Sequence, residues 1–323
     1  MLFRADCLDL LTNIKSNTVT LAFLDPPFNL GKSYDSSKRS DQIATEIYRG
    51  WCRTWLLETI RVLKPGGSLF LYHWPRWLMD FGAWLNTVES VEYKAWIALK
   101  MKNGFPMKKR LQPAHYGLLY YVKRGGLPRF NVVKYKSPTC RHCGKLIHDY
   151  GGYRDRFKPY EDNDGIPWIG LSDFWEDTRP ARHDKARKVK VNELPTHIPE
   201  RVILLTTEPG DVVLDCFSGG GSTLQAALMH DRLWIGGDIG TSKSSLRRIA
   251  TFFGTEETSP SSRKLLGCFQ KPFRDALNQL EIRKKRPILN VRKLTNIKSL
   301  RNGEAKSRVF HLSKGNNSSD RKS

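Results

Sequence analysis

The sequence predicts an open α/β sheet, one large domain carrying a smaller insertion. Three observations lead to it. The 323 residues suffice for a large core plus an inserted region. The run Val19-Thr20-Leu21-Ala22-Phe23-Leu24 reads as a strand buried on both faces, as strands of parallel sheets are. Asp211-Val212-Val213-Leu214-Asp215-Cys216-Phe217-Ser218-Gly219-Gly220-Gly221-Ser222-Thr223-Leu224 reads as strand, glycine turn and helix, with a further strand at Leu233-Trp234-Ile235-Gly236-Gly237.

Asp25-Pro26-Pro27-Phe28 ends the first strand, because two prolines continue neither a helix nor a central strand. The rigid turn fixes a carboxylate, a proline carbonyl and an aromatic face at a strand's carboxyl end, where open α/β sheets bind ligands. That set suits a planar base with an exocyclic amino group; the alternative is an ordinary turn with a surface acid. The polar stretch Asn29–Ser37 is either a cover for a bound base or a plain surface loop. A helix is expected from Glu46 to Leu63 with Ile47, Trp51, Trp55 and Leu56 on one side, stopped by Lys64-Pro65-Gly66-Gly67. Ser68–Tyr72 follows as a strand, Asp80–Val91 as a helix and Tyr93–Leu99 as a strand.

In the second half, the glycines allow close approach of a ligand to the backbone, and the helix start offers free N–H groups. Asp238 follows the next strand, where an acid commonly holds ribose hydroxyls. A dinucleotide site competes with this reading, but its Gly-x-Gly-x-x-Gly pattern has Leu224 in the third place here.

These motifs resemble the permuted (β) class of S-adenosylmethionine-dependent DNA amino-methyltransferases. In that family an Asp-Pro-Pro-aromatic motif precedes a Phe-x-Gly-x-Gly motif. Asp25 to Phe28 match the first, and Phe217, Gly219 and Gly221 the second. The opening Asp6-Cys7-Leu8 is similar to the family's Gly-Asp-Cys, with Ala5 in place of glycine. The resemblance implies a doubly wound, mostly parallel Rossmann-like sheet whose two motif strands are neighbours. It implies Asp25, Pro26, Pro27 and Phe28 as catalytic: Asp25 and the Pro26 carbonyl accept the amino N–H bonds, and Phe28 stacks on the flipped base. It further implies a cofactor site of Asp6, Asp215, Phe217, Ser218, Gly219, Gly221, Ser222, Thr223 and Asp238. Asn192 and Pro195 are the two positions that match the family's His-Pro-Thr-x-Lys-Pro segment near the methionine. Family members acting on N4 of cytosine usually begin the catalytic motif with Ser, so Asp25 implies N6 of adenine in double-stranded DNA. N4-cytosine transfer and a noncatalytic DNA-binding relative are the alternatives. A cognate restriction endonuclease is an expected partner, and a monomer or homodimer the expected assembly.

Charge agrees with a nucleic-acid partner. The formal net charge is +22, of which residues 283–323 carry +11 and residues 97–190 carry +12, so the rest is close to neutral. The expected organisation is a catalytic half (1–96), a target-recognition insertion (97–190), a cofactor half (191–275) and a basic tail (276–323). Lys108, Lys109, Arg110, Lys123 and Arg124 are candidates for phosphates, and Arg154, Arg156 and Arg179 for guanine edges. Asp173-Phe174-Trp175 is expected to pack.

No secretory signal and no membrane-length apolar segment is read, and six scattered cysteines fit a reducing cytoplasm. Cys140-Arg141-His142-Cys143, with His148 nearby, is one half of a zinc site at most, or a tight turn; no metal is assigned. The Pro-Cys nucleophile of C5-cytosine chemistry is absent from the sequence.

Overall fold

The computed structural model describes residues 1–31, 42–100, 109, 111, 113–136, 142–144, 168–176, 194–240, 245 and 248. Its elements run β1 (Leu2–Arg4), α1 (Cys7–Thr12), β2 (Val19–Leu24), α2 (Thr45–Val62), β3 (Leu63–His73), α3 (Pro75–Leu85), β4 (Val91–Lys100), β5 (His115–Lys123). They continue with β6 (Lys134–Lys136), β7 (Trp168–Gly170), β8 (Phe174–Trp175), α4 (His197–Thr206), β9 (Val212–Asp215), α5 (Ser222–Met229) and β10 (Leu233–Asp238). Among the described residues one sheet has eight strands in the order β1-β10-β9-β2-β3-β5-β4-β8, and β6 pairs with β7 separately. β5 alone runs against its neighbours β3 and β4, so the sheet is mostly parallel.

The period-2 geometry of strands divides each central strand between two cores. Ala22, Leu24, Leu69, Leu71 and Leu214 face a layer made by α1, α2 and α3. Leu21, Phe23, Phe70, Tyr72 and Val213 face the opposite layer, made largely by α4 and α5. Helices thus cover both faces, as a doubly wound sheet requires. Complete burial of Phe23 and Trp55 supplies roughly 2–3 kcal/mol each before entropic costs.

Several boundaries differ from the sequence reading. α2 turns so that Tyr48, Cys52, Trp55, Leu56 and Ile60 are buried, while Ile47 is 65% exposed. The seam runs through positions 48, 52, 55, 56 and 60, one residue out of phase with Ile47. α3 begins at Pro75 rather than near Asp80, because proline fits the first helical position, where its missing N–H costs nothing. β3 extends to His73, and β5, which lies inside residues 97–190, is integral to the main sheet. Trp175 packs as expected, whereas Phe174 is half exposed.

Candidate active site

β1, β10, β9, β2 and β3 end together along one edge of the sheet. Arg4 lies opposite Asp238, Gly236 opposite Asp215, Ala22 opposite Leu214 and Leu24 opposite Leu71. The antiparallel β5 starts at the same edge, with Gly117 opposite His73. The pairing of β2 with β9 makes the two motif strands neighbours, and Thr20 Oγ1 donates to Asp211 Oδ1 at 2.9 Å across 191 positions of sequence. Asp25–Phe28 and the glycine loop therefore leave adjacent strand ends on the same side.

The proline turn is held by side chains from α2 and α3. The Tyr48 hydroxyl donates to the Pro27 carbonyl at 2.5 Å, and Trp77 Nε1–H to the Phe28 carbonyl at 3.1 Å. The Asn29 carboxamide exchanges two hydrogen bonds with the Ile43 backbone, at 2.7 and 3.0 Å, joining the chain on both sides of residues 32–41. Asp25 is half-buried and Pro26 buried. Burial first, and then the charge of Asp25, raise the phenols of Tyr72 and Tyr116 above their usual range, so both stay protonated.

Phe28 departs from expectation. Its ring is 7% exposed, stacks on His73 with centroids 4.5 Å apart, and lies 5.8–5.9 Å from Tyr116 and Tyr72. His73, at the end of β3, covers one face of the ring. Half-buried Trp74 and Tyr116, in edge contact at 6.3 Å, supply accessible aromatic surface beside the turn. A cavity of about 340 Å³ opens beside them, lined in part by Asn29, Ile43, Trp74, Arg76 and Trp77. Tyr48, His73, Trp74 and Tyr116 were not legible as site residues, since they come from α2, β3, the link before α3 and β5; His73-Trp74-Pro75, a strand end running into a proline-started helix, was the available signal.

In the glycine loop the expected cofactor residues divide into two kinds. Asp215, Ser218, Ser222 and Thr223 are buried and turned inward. Asp215 Oδ1 accepts from Phe217 N–H at 3.0 Å, Ser218 Oγ donates to Gly237 O at 2.9 Å, and Ser222 Oγ donates to Leu194 O at 2.5 Å. Burial raises the Asp215 carboxyl to about 7, against the opposing hydrogen bonds from Thr223 and Phe217 N–H. These four shape the loop from within. Gly219 (φ 42°) and Gly221 (φ 80°) adopt left-handed backbone, and a Cβ on Gly221 would come within 2.9 Å of Ser245 Cα, so glycine is required there. Gly219 is exposed, and half-buried Phe217 packs edge-on to Trp55 (5.1 Å) and Trp51 (5.9 Å), forming an apolar wall.

Asp238 ends β10 beside this loop. Its Oδ2 accepts from Gly219 N–H at 2.9 Å and its Oδ1 from Gly240 N–H at 2.6 Å, which fixes the carboxylate and leaves a lone pair on each oxygen. Asp6 is exposed at the neighbouring end of β1, and its carboxylate accepts from Leu8 N–H at 2.9 Å, capping α1. Pro195 follows the Leu194 carbonyl bound by Ser222, so it lies beside the loop; Asn192 lies outside the described residues.

The basic candidates are largely elsewhere. Lys123 and Arg124 sit at the opposite edge of the sheet, since β5 runs away from the site. Lys123 Nζ donates to Leu63 O (2.8 Å), Asn17 Oδ1 (2.9 Å) and Arg61 O (3.1 Å), and Arg124 Nε donates to Val91 O at 3.2 Å. Lys123 is thus tied into the scaffold, while Arg124 is exposed with its Nε bound to the backbone. Lys109 is exposed, while Lys108, Arg110, Arg154, Arg156 and Arg179 lie outside the described residues, as do Lys32–Ser37 and the basic tail. β4 ends and β5 begins at the catalytic edge, so the chain enters and leaves 101–114 there. Cys143 is exposed, and Cys140 and His148 are outside the described residues; among those described, no cluster is placed to hold a metal. Among the described residues no helix is long and apolar enough to cross a membrane.

Comparison with known proteins agrees with this arrangement. The family described as DNA methylase, of N6/N4 methyltransferases, matches residues 19–246. The type II methyltransferase M.BamHI of Bacillus amyloliquefaciens is 40% identical over 82% of this chain and 59% of its own length. The DNA adenine methyltransferase YhdJ of Escherichia coli K12 is 25% identical over 84% of this chain and 90% of its own. The chain thus spans about three fifths of M.BamHI. In fold, it is similar to TTHA0409 of Thermus thermophilus, a structure containing S-adenosyl-L-methionine (19% identity, 78% of this chain and 93% of that chain, TM-score 0.51). It is similarly related to the cytosine-N4-specific PvuII DNA methyltransferase (14% identity, 86% and 92%, TM-score 0.52). The match over 19–246, which contains both strand-end motifs and the β2–β9 pairing that joins them, places the chain in the DNA methylase family.

Proposed function

We propose that this protein transfers a methyl group from S-adenosylmethionine to the exocyclic amino group of a base in double-stranded DNA, with N6 of adenine as the acceptor. The observation that carries the proposal is the parallel pairing of β2 with β9, which sets Asp25-Pro26-Pro27-Phe28 beside the glycine loop. The loop fits the methyl donor: Gly219 is open, Phe217 is an apolar wall, and Asp238 keeps lone pairs free for hydroxyls. When bound, S-adenosylmethionine supplies a methyl group made electrophilic by its sulfonium.

The chain's own residues do the rest. An aromatic amino group is a poor nucleophile because its lone pair is delocalised into the ring. Asp25 and the Pro26 carbonyl accept its two N–H bonds, which favours a pyramidal nitrogen with the lone pair directed at the methyl. Asp25 then lies where the proton shed by that nitrogen is taken up. Positioning and electrostatics supply the acceleration, and the base leaves the duplex at a cost of a few kcal/mol. Trp74 and Tyr116 are the aromatic surfaces placed to receive it. Asp25 at the head of the motif favours adenine. The type II relatives support a cognate restriction endonuclease as partner, acting in the same cytoplasm.

The test is to incubate the protein with duplex DNA and S-adenosylmethionine, digest the product to nucleosides and identify the methylated base by mass. N6-methyladenine is expected. N4-methylcytosine as sole product overturns the choice of base and leaves amino-group transfer standing; no methylated base overturns the proposal.

A further inference from the structure

We propose that Tyr48 and His73 form a positioning pair that sets the backbone of the Asp25–Phe28 turn for methyl transfer, through a one-directional chain of hydrogen bonds. The inference rests on the amino-transfer reading above. Trp74 N–H donates to His73 Nδ1 at 2.8 Å, and a backbone N–H can only donate. Nδ1 is therefore bare, and the ring proton of the neutral imidazole sits on Nε2. Burial enforces neutrality by depressing His73 to about 3. Nε2 lies 2.7 Å from the Tyr48 oxygen, so it donates there, and the Tyr48 proton goes on to the Pro27 carbonyl. Each link fixes the direction of the next.

The His73 ring also stacks on Phe28, and Trp77 Nε1–H holds the Phe28 carbonyl. Two consecutive carbonyls of the turn are thus tied inward by side chains from α2 and α3. The peptide planes of a Pro-Pro segment have little freedom, since φ is fixed in both prolines. Each residue before a proline is held extended as well, so tying the Pro27 carbonyl restricts the Pro26 carbonyl and the Asp25 backbone before it. Tyr48 and His73 are buried beneath the turn and act through it. A small misplacement of such acceptors lowers the rate without a matching loss of binding.

The test compares single-turnover methyl transfer with dissociation constants for S-adenosylmethionine and DNA. Tyr48→Phe keeps the ring and removes the relay; its rate should fall at least tenfold while both dissociation constants stay within about threefold. His73→Gln, whose amide N–H can replace Nε2–H, should recover part of the rate lost in His73→Leu. A Tyr48→Phe rate equal to wild type overturns the inference, as do equal rates for His73→Gln and His73→Leu or a loss expressed only in binding. Nitrogen NMR of His73 in the unsubstituted protein gives an answer even if the variants fail to fold: the neutral Nε2–H form is expected, and an imidazolium or Nδ1–H form overturns the chain. An inactive wild type sinks the proposed function instead, with the NMR result still deciding the relay.

Discussion

Replacing Asp238 with alanine removes more than one acceptor. Its two carboxylate oxygens hold the N–H groups of Gly219 and Gly240, at 2.9 and 2.6 Å. The substitution frees exposed Gly219 and deletes the acceptor proposed for ribose hydroxyls. A hydrogen bond to a charged partner contributes about 1.5–3 kcal/mol, so one lost ligand bond together with a loosened loop should cost about 3 kcal/mol of affinity. At 1.4 kcal/mol per tenfold, the dissociation constant for S-adenosylmethionine rises roughly 100-fold. Calorimetry measures this directly. Ligand at 100 times its dissociation constant stabilises the native protein by about 2.7 kcal/mol, which should lift the melting temperature of the wild type by roughly 5–10 °C. The variant, still folded, should show little of that rise at the same concentration. An affinity within about threefold of wild type would refute the assignment of Asp238 to the donor.

Lys123→Ala should cost about 1–2 kcal/mol of stability, because its ammonium joins Asn17, Arg61 and Leu63 across elements, while DNA affinity stays unchanged; denaturant melts and a DNA titration check both halves. Asp215 is an acid whose carboxyl is raised from 3.8 to about 7 in the fold, so between those values the native state holds a proton that the unfolded chain has lost. Stability from this group is complete below about pH 4 and declines as pH rises to about 7. Asp215→Asn should flatten that decline in melting temperature, and an unaltered pH profile would count against it.

The parts of the fold legible in sequence were those fixed by local constraint. Val19–Leu24 could be read as doubly buried because every residue but Thr20 is apolar, and the two prolines after it leave no alternative to a turn. The glycine loop was legible because Gly219 and Gly221 mark backbone that other residues adopt only under strain. What could not be read depended on contacts distant in sequence. The phase of α2 was set by Tyr48 meeting Pro27 and His73, a contact no helical periodicity contains. Nothing local announces that His73 would stack on Phe28. Lys123 was assigned to phosphate by its charge alone, yet the antiparallel direction of β5 puts it at the far edge of the sheet. Charge in a sequence has no address until topology supplies one.

The central claim is that Asp25 polarises the amino group undergoing methylation, and Asp25→Ala tests it most directly. Single-turnover methyl transfer to duplex DNA should be measured alongside dissociation constants for DNA and S-adenosylmethionine. The rate should fall by at least 100-fold, with both dissociation constants within a few-fold of wild type, the signature of an interaction made mainly in the transition state. Turnover near that of the wild type would contradict it.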